Sequence, residues 1–251
     1  MRILLLSDIH SNAEALEACL AAAPPTDATV NLGDIVGYGA SPNEVTKRVR
    51  DLAGIFVRGN HDKVVTGIDT VEGFNPIASV AAIWNREQLT HEHMDWLRAL
   101  PKGPAAMDEL SNVQFVHGAP DDEDRYVVTL EDAAIQLVQS SVSITFFGHT
   151  HIQGAFQLRG KIVRAVHPEY PTVAKQETWD LQLESGLNYM INPGSIGQPR
   201  DGDWRAAFAV FDSEQRMVTF FRTPYQIRAA QEKILAAGLP PRLATRLAAG
   251  S

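Results

Sequence analysis

The 251-residue chain is short of three things, and each shortage excludes something. It has one cysteine, Cys19, so no intrachain disulfide can form and the fold must rest on its apolar core. That usage fits a reducing compartment. Long apolar runs are also missing. The opening run Ile3–Leu6 is far too short for a signal-peptide core, and no stretch approaches the ~20 apolar residues of a membrane span. A soluble, cytoplasmic protein without a membrane partner is expected. Basic residues are the minority: 22 Lys plus Arg against 30 Asp plus Glu, a formal charge of −8. A long nucleic-acid duplex needs a basic face, so no such partner is expected, whereas a small phosphate ligand held locally remains compatible.

What is present is ordinary for a globular protein, with 45% apolar and 21% charged residues. No internal repeat, low-complexity stretch or flexible linker interrupts the chain, so residues 1–251 are expected to form one domain. The run 2–6 reads as a strand buried on both faces. A helix follows, with Ser11 and Glu14 in capping-box spacing and a stripe of Leu16, Cys19, Leu20 and Ala23. Residues 28–32 and 55–57 read as strands, with a helix opening at Ser41-Pro42-Asn43-Glu44 between them. This βαβαβ beginning predicts a parallel sheet with right-handed crossovers.

The middle breaks that rhythm. Residues 63–75 read as a long connection. Two helical segments follow, 76–89 with Ile77, Val80, Ala81 and Trp84 on one face and 90–100 with Met94, Leu97 and Leu100. The region 63–100 is expected to be a helical, cap-like insertion beside the site. Strands resume at 113–116 and 142–146, separated by a helix over 130–139. Residues 154–222 read as antiparallel strands, with a hairpin joining 206–211 to 217–221, and the tail is helical.

Five short polar clusters each follow a strand: Ser7-Asp8-Ile9-His10, Gly33-Asp34, Gly59-Asn60-His61-Asp62, Val116-His117-Gly118 and Gly148-His149-Thr150-His151. In open α/β sheets that carboxyl edge is where ligands bind. Taken singly, each has a bland explanation: a hydrogen-bonded structural histidine, an Asp capping a turn, an Asn in a left-handed turn. Together they bring two carboxylates, an amide and several imidazoles to one edge. Such a set would repel and lose its hydration unless a cation compensated it.

The order D-x-H, GD, GNH[DE], H, GHxH across residues 7–151 resembles the calcineurin-like metallophosphoesterases, and Asn192-Pro193-Gly194-Ser195 extends the likeness. The resemblance implies an α/β fold, a four-layer αββα sandwich of two mixed β-sheets flanked by helices. It implies two divalent metal ions about 3.5 Å apart, of Mn, Fe, Zn, Co or Ni. Asp8, His10, Asp34 and His151 would hold the first. Asp34, Asn60, His117 and His149 would hold the second, with Asp34 as the bridge. His61 would be catalytic, protonating the leaving oxygen or stabilising the transition state. The implied reaction is hydrolysis at phosphorus by a bridging hydroxide, made available by lowering the water pKa from ~16 towards ~7.

The second block departs from one branch of that superfamily. Protein Ser/Thr phosphatases have GDxxDRG; here Gly37 and Tyr38 stand where the acid and the arginine would be. The chain instead resembles the small bacterial and archaeal branch of phosphodiesterases and diadenosine tetraphosphate hydrolases. A small phosphodiester or nucleotide-type substrate is therefore expected. Arg200 reads either as a substitute phosphate clamp or as the ion-pair partner of Asp201 or Asp203. Tyr38 reads either as a substrate contact or as packing under the loop. His91, His93 and His167 are expected to stay outside the site, Trp84 to pack in the core, and Asp121–Asp124 to form a solvated turn that disfavours highly anionic substrates. Two rival readings are a protein-binding scaffold of the same fold, which tends to lose a ligand or the catalytic histidine, and a nuclease acting on short single strands. In this chain no ligand position is lost.

Overall fold

The computed structural model describes residues 1–52 and 54–251. Strand β1 (Arg2–Leu6) leads through helix α1 (Ala13–Ala22) to β2 (Ala28–Asn31), and α2 (Pro42–Arg50) leads to β3 (Gly54–Phe56). These three strands pair in parallel, β3-β2-β1. Helices α3 (Asn60–Thr66), α4 (Pro76–Gln88) and α5 (His91–Arg98) precede β4 (Val113–Phe115), and α6 (Leu130–Gln139) precedes β5 (Ile144–Phe146). Then come β6 (Gly154–Arg159), β7 (Ile162–Val166), β8 (Glu177–Gln182), β9 (Asn188–Asn192), β10 (Ala206–Asp212) and β11 (Met217–Thr223), and finally α7 (Ile227–Ala236) and α8 (Pro241–Ala249).

The strands form two mixed sheets, ordered β3-β2-β1-β10-β11-β8 and β4-β5-β9-β6-β7. Side chains alternate across a strand, so β1 splits its apolar run. Ile3 and Leu5 enter the core between the two sheets, with Phe115, Phe146, Phe211 and Phe220. Leu4 and Leu6 face a helical layer carrying Leu16, Val45, Ala81 and Leu243. A smaller cluster seats α6 on the outer face of the second sheet through Leu137, Phe147 and Phe156. The result is the four-layer αββα sandwich, with the central strands β1 and β10 buried on both faces. Among the described residues, no helix is long and apolar enough to cross a membrane.

Several local expectations need correction. Helix α1 is capped by Asn12, whose side chain accepts from Ala15 N; the Ser11 hydroxyl instead donates to Asn85. Residues 63–66 continue α3 rather than starting a connection, and Gly67 ends it in the left-handed conformation (φ 78°). Helix α4 buries Ala78, Ala81, Ala82 and Asn85, while Val80 points to solvent. Small residues face inward there because α4 must approach the loop after β2 closely. Helix α3 packs on α4 and α5, and α2 packs on both as well, so region 63–100 belongs to the helical layer. At its edge, Phe74 lies against the His61 ring, centroids 4.5 Å apart.

Candidate metal centre

The five polar clusters sit on the loops that leave β1, β2, β3, β4 and β5. The sandwich brings the carboxyl ends of three strands of one sheet beside those of two strands of the other. The backbone there is strained: Asp8 (φ 51°), His10 (48°), Asp34 (55°), His149 (67°) and His151 (62°) are all left-handed without being glycine. Each costs about 1–3 kcal/mol and persists only where surrounding bonds over-determine it. Those bonds are present. Asp8 N and His10 N donate to the carbonyls of Gly33 and Asp34 at 3.0 Å. The buried Asp62 carboxylate accepts from Asp34 N, Ile35 N and Gly59 N at 2.9 Å and from Val36 N at 3.2 Å, clasping the loop after β2 to the start of α3.

The donor set falls into two overlapping groups, Asp8, His10, Asp34 and His151, and Asp34, His117 and His149, each with ligand atoms within 4.8 Å of one another. Asn60 Oδ1 joins the second, 3.2 Å from His117 Nε2. Backbone carbonyls settle the histidine tautomers. The Nδ1 atoms of His10, His117 and His151 meet the carbonyl oxygens of Val36, Leu32 and Gln198 at 3.2, 2.8 and 2.6 Å. His149 meets the Asp124 carbonyl through Nε2 at 3.1 Å. A carbonyl only accepts, so these nitrogens carry the hydrogens. The opposite ring nitrogens then present lone pairs to one another: His10 Nε2 to His151 Nε2 at 3.1 Å, and His117 Nε2 to His149 Nδ1 at 3.1 Å. Asp8 Oδ1 is 3.2 Å from His151 Nε2, and Asp34 Oδ2 lies 3.6 Å from His10 Nε2 and 3.5 Å from His117 Nε2. Lone pairs and carboxylates converging in a buried site repel unless a cation lies among them, so the residues fit a metal.

The electrostatics agree. Burial opposes charge on Asp8 and Asp34, yet the facing histidines, His151 for Asp8 and His117 for Asp34, hold both below the usual carboxylate range. Burial likewise opposes protonation of His117, but the Asp34 carboxylate drives its pKa up to about 10. Without a cation His117 would thus carry a second proton on Nε2, which a metal bound there would displace to expose the lone pair. Burial holds His149 down to about 3 and His61 down to about 4, leaving both rings neutral.

His61 sits beside the donor groups, 4.8 Å from the His10 ring and 4.4 Å from the Tyr38 ring. Its Nδ1 is buried without a hydrogen bond, and a Cβ on Gly37 would lie 2.5 Å from it. Gly37 therefore leaves space only for the ring, with no acid behind it. Arg200 Nη2 reaches the Tyr38 hydroxyl at 3.4 Å, and its guanidinium carbon is 5.8 Å from the Tyr38 ring centroid. Of the two readings of Arg200, pairing with Asp201 or Asp203 is not what the structure has. Asp201 binds Arg222 and Asp203 binds Arg205, whose buried guanidiniums need those charges more. Tyr38 is buried but its ring faces His10 and His61, so it both packs and borders the site.

Asp121, Asp122 and Asp124 of the acidic run are exposed as expected, but Glu123 is not. Glu123 is buried against Arg58 at 3.0 Å and Lys63 at 3.2 Å, and Asp124 pairs with Lys63 at 2.5 Å. Two cations spread these charges, and the turn holds His149 in place. His93 bonds Asn43 at 2.8 Å, His91 and His167 are exposed, and Trp84 packs partly buried against the helical core. Three contributors went unread in the sequence. Asp62 is the first: it stands in the third polar cluster, but its role in clasping two loops was unread, and an acid three residues after Gly59 at a helix start is its signal. Asn85 is the second: its Oδ1 accepts from Ser11 Oγ and Gly37 N, and its Nδ2 donates to Gly39 O. A polar residue on the buried face of α4 is its trace. The third, Tyr126, lies 3.8 Å from the His149 ring with half of its surface exposed, and left no pattern to read.

The calcineurin-like phosphoesterase superfamily domain model matches residues 1–216. The chain belongs to that superfamily. It is 34% identical over 250 residues to an uncharacterized protein of Methanocaldococcus jannaschii, covering 99% of this chain and 98% of that one. The crystal structure of a metallophosphoesterase from Sphaerobacter thermophilus is similar with a TM-score of 0.83 at 40% identity, covering 100% and 99% of the two chains. A hypothetical protein from Pyrococcus horikoshii shares the fold, with a TM-score of 0.77 at 18% identity over 100% and 98%.

Proposed function

We propose that this superfamily member is a dinuclear-metal phosphoesterase acting on a small phosphodiester or nucleotide-type substrate. One observation carries the reading. The Asp34 carboxylate is common to both donor groups, with one oxygen 3.6 Å from His10 Nε2 and 3.5 Å from His117 Nε2. A shared carboxylate is what two adjacent divalent cations require. Asp8, His10, Asp34 and His151 would hold one ion; Asp34, Asn60, His117 and His149 would hold the other. When bound, the ions supply Lewis acidity, charge neutralisation at phosphorus and an activated water.

The chain's own residues position and finish the reaction. The carbonyl-locked tautomers aim every imidazole lone pair inward, so little reorganisation accompanies binding. His61, held neutral by burial and with Nδ1 enclosed, meets the substrate through Nε2, where it donates a hydrogen bond to the leaving oxygen. Arg200 and Tyr38 stand on the His61 side of the donor groups, where they would contact a substrate phosphate group. The absence of an acid behind His61 disfavours a phosphoprotein substrate.

The test is a hydrolysis panel on metal-stripped protein reloaded with Mn²⁺: an aryl phosphomonoester, an aryl phosphodiester, a cyclic nucleotide and a diadenosine polyphosphate. His61→Ala is the blank and should keep its metal while losing most turnover. Asp34→Asn should lose metal and turnover together. Turnover retained in both variants would refute the assigned roles.

A further inference from the structure

Beside the metal centre lies a second concentration of positive charge. The guanidinium carbon of Arg246, on α8, is 5.8 Å from the Tyr38 ring centroid, the same distance as that of Arg200. The C-terminal segment is fastened there: Gly202 N, two residues past Arg200, donates to the Gly250 carbonyl at 2.9 Å. Gly250 is left-handed (φ 60°) and packs so tightly on Asp203 that a Cβ would come within 2.7 Å of its backbone.

Neither arginine pairs with an Asp or Glu side chain among the described residues. Arg200 Nε is buried and unbonded, and its Nη2 contacts are long, 3.4 and 3.5 Å to neutral oxygens. Arg246 Nε meets only the Ser251 main-chain oxygen. By contrast, Arg58 is neutralised by Glu123, Arg205 by Asp203 and Arg222 by Asp201. Two like charges held half-buried on one ring, in a chain of net charge −8, make sense as a receptor for an anion.

We infer that Arg246, Arg200 and Tyr38 form an anion subsite next to the metal centre, which receives the second phosphate of a diphosphate-containing substrate. The inference rests on the proposed phosphoesterase reading. Cations at the donor groups would neutralise the phosphate under attack, whereas an adjoining phosphate lies beyond them and needs its own positive charge. Tyr38 borders both places, 4.7 Å from the His10 ring and within reach of both guanidiniums. A forked guanidinium grips phosphate through two parallel bonds, so two of them suit a terminal or bridging phosphate group.

The test is calorimetric and needs no turnover. Mn²⁺-loaded protein is titrated with orthophosphate, pyrophosphate and ADP. Wild type should bind the better of the two diphosphates at least tenfold more tightly than orthophosphate, and the tighter one tells an inorganic from a nucleotide source. Arg246→Ala should cut that advantage by about tenfold, the scale of one charge-assisted contact. Arg246→Lys, which keeps charge but not the fork, should fall between and serves if the alanine variant does not fold. Arg242→Ala, an exposed arginine on the same helix, should match wild type. An equal diphosphate advantage in wild type and Arg246→Ala, or no advantage in wild type, overturns the subsite. Failure of the phosphoesterase reading would show separately, as absence of bound metal and of hydrolysis in the panel.

Discussion

Asp62→Asn is the sharpest probe of how the metal-site loops are held. Asp62 is not itself in either donor group, yet its two oxygens serve four backbone donors, Gly59 N and Asp34 N on one and Ile35 N and Val36 N on the other. Asparagine keeps the shape but turns one oxygen into an NH₂ group. Whichever way it faces, two buried N–H groups lose their acceptor and meet a donor. At about 1–3 kcal/mol each, the loss is about 2–6 kcal/mol, a large share of the ~5–15 kcal/mol of a typical domain. A counter-effect is present. Burial and the Asp34 carboxylate push the Asp62 pKa up to about 7, so removing its charge relieves some repulsion. Cations bound at Asp34 cancel that relief. The loss should therefore be larger in Mn²⁺ than in chelator, read as the shift of the urea midpoint at unchanged slope. Metal content after dialysis should fall as well, because Asp34 loses its support. A midpoint in Mn²⁺ within about 1 kcal/mol of wild type, with full metal content, would refute the clasp.

Other perturbations probe neighbouring contacts. Gly37→Ala places a Cβ 2.5 Å from His61 Nδ1 at a φ of +100°, so turnover should drop at least tenfold while metal content holds; assay both on one preparation. Chelation should lower the thermal midpoint by ~5–10 °C, from about 2.7 kcal/mol of linkage at a hundredfold excess over Kd and ~2–4 °C per kcal/mol at this size, and Mn²⁺ should restore it. Arg222→Met strands the Asp201 carboxylate and should cost about 3–5 kcal/mol, and adding Asp201→Asn should recover part of it in a double-mutant cycle by urea unfolding.

Much of this molecule was legible before any coordinate. Helix α6 falls over 130–139 and the hairpin joins β10 to β11 as read, because period and punctuation are local signals. The parallel start β3-β2-β1 followed from βαβ chirality. The ligand types came from strand ends punctuated by glycine. What went unread depends on partners distant in sequence. The Asn12 cap displaced Ser11 because Asn85, 74 residues on, takes the Ser11 hydroxyl. The buried face of α4 rotated toward small residues to suit the loop beneath it.

The sequence alone thus determined the order of elements, the chemical nature of the donors and the absence of an acid where Gly37 stands. Those are properties of single residues and short spacings. Tertiary structure decided which atoms meet: that one Asp34 oxygen faces both His10 and His117, where the resemblance had implied only a shared ligand, that backbone carbonyls lock the imidazole tautomers, and that Asp201 and Asp203 are taken by buried arginines. It also brought Arg246 from the last helix to Tyr38. Such contacts join residues far apart along the chain, and the layers of the sandwich set their geometry, which no local pattern encodes.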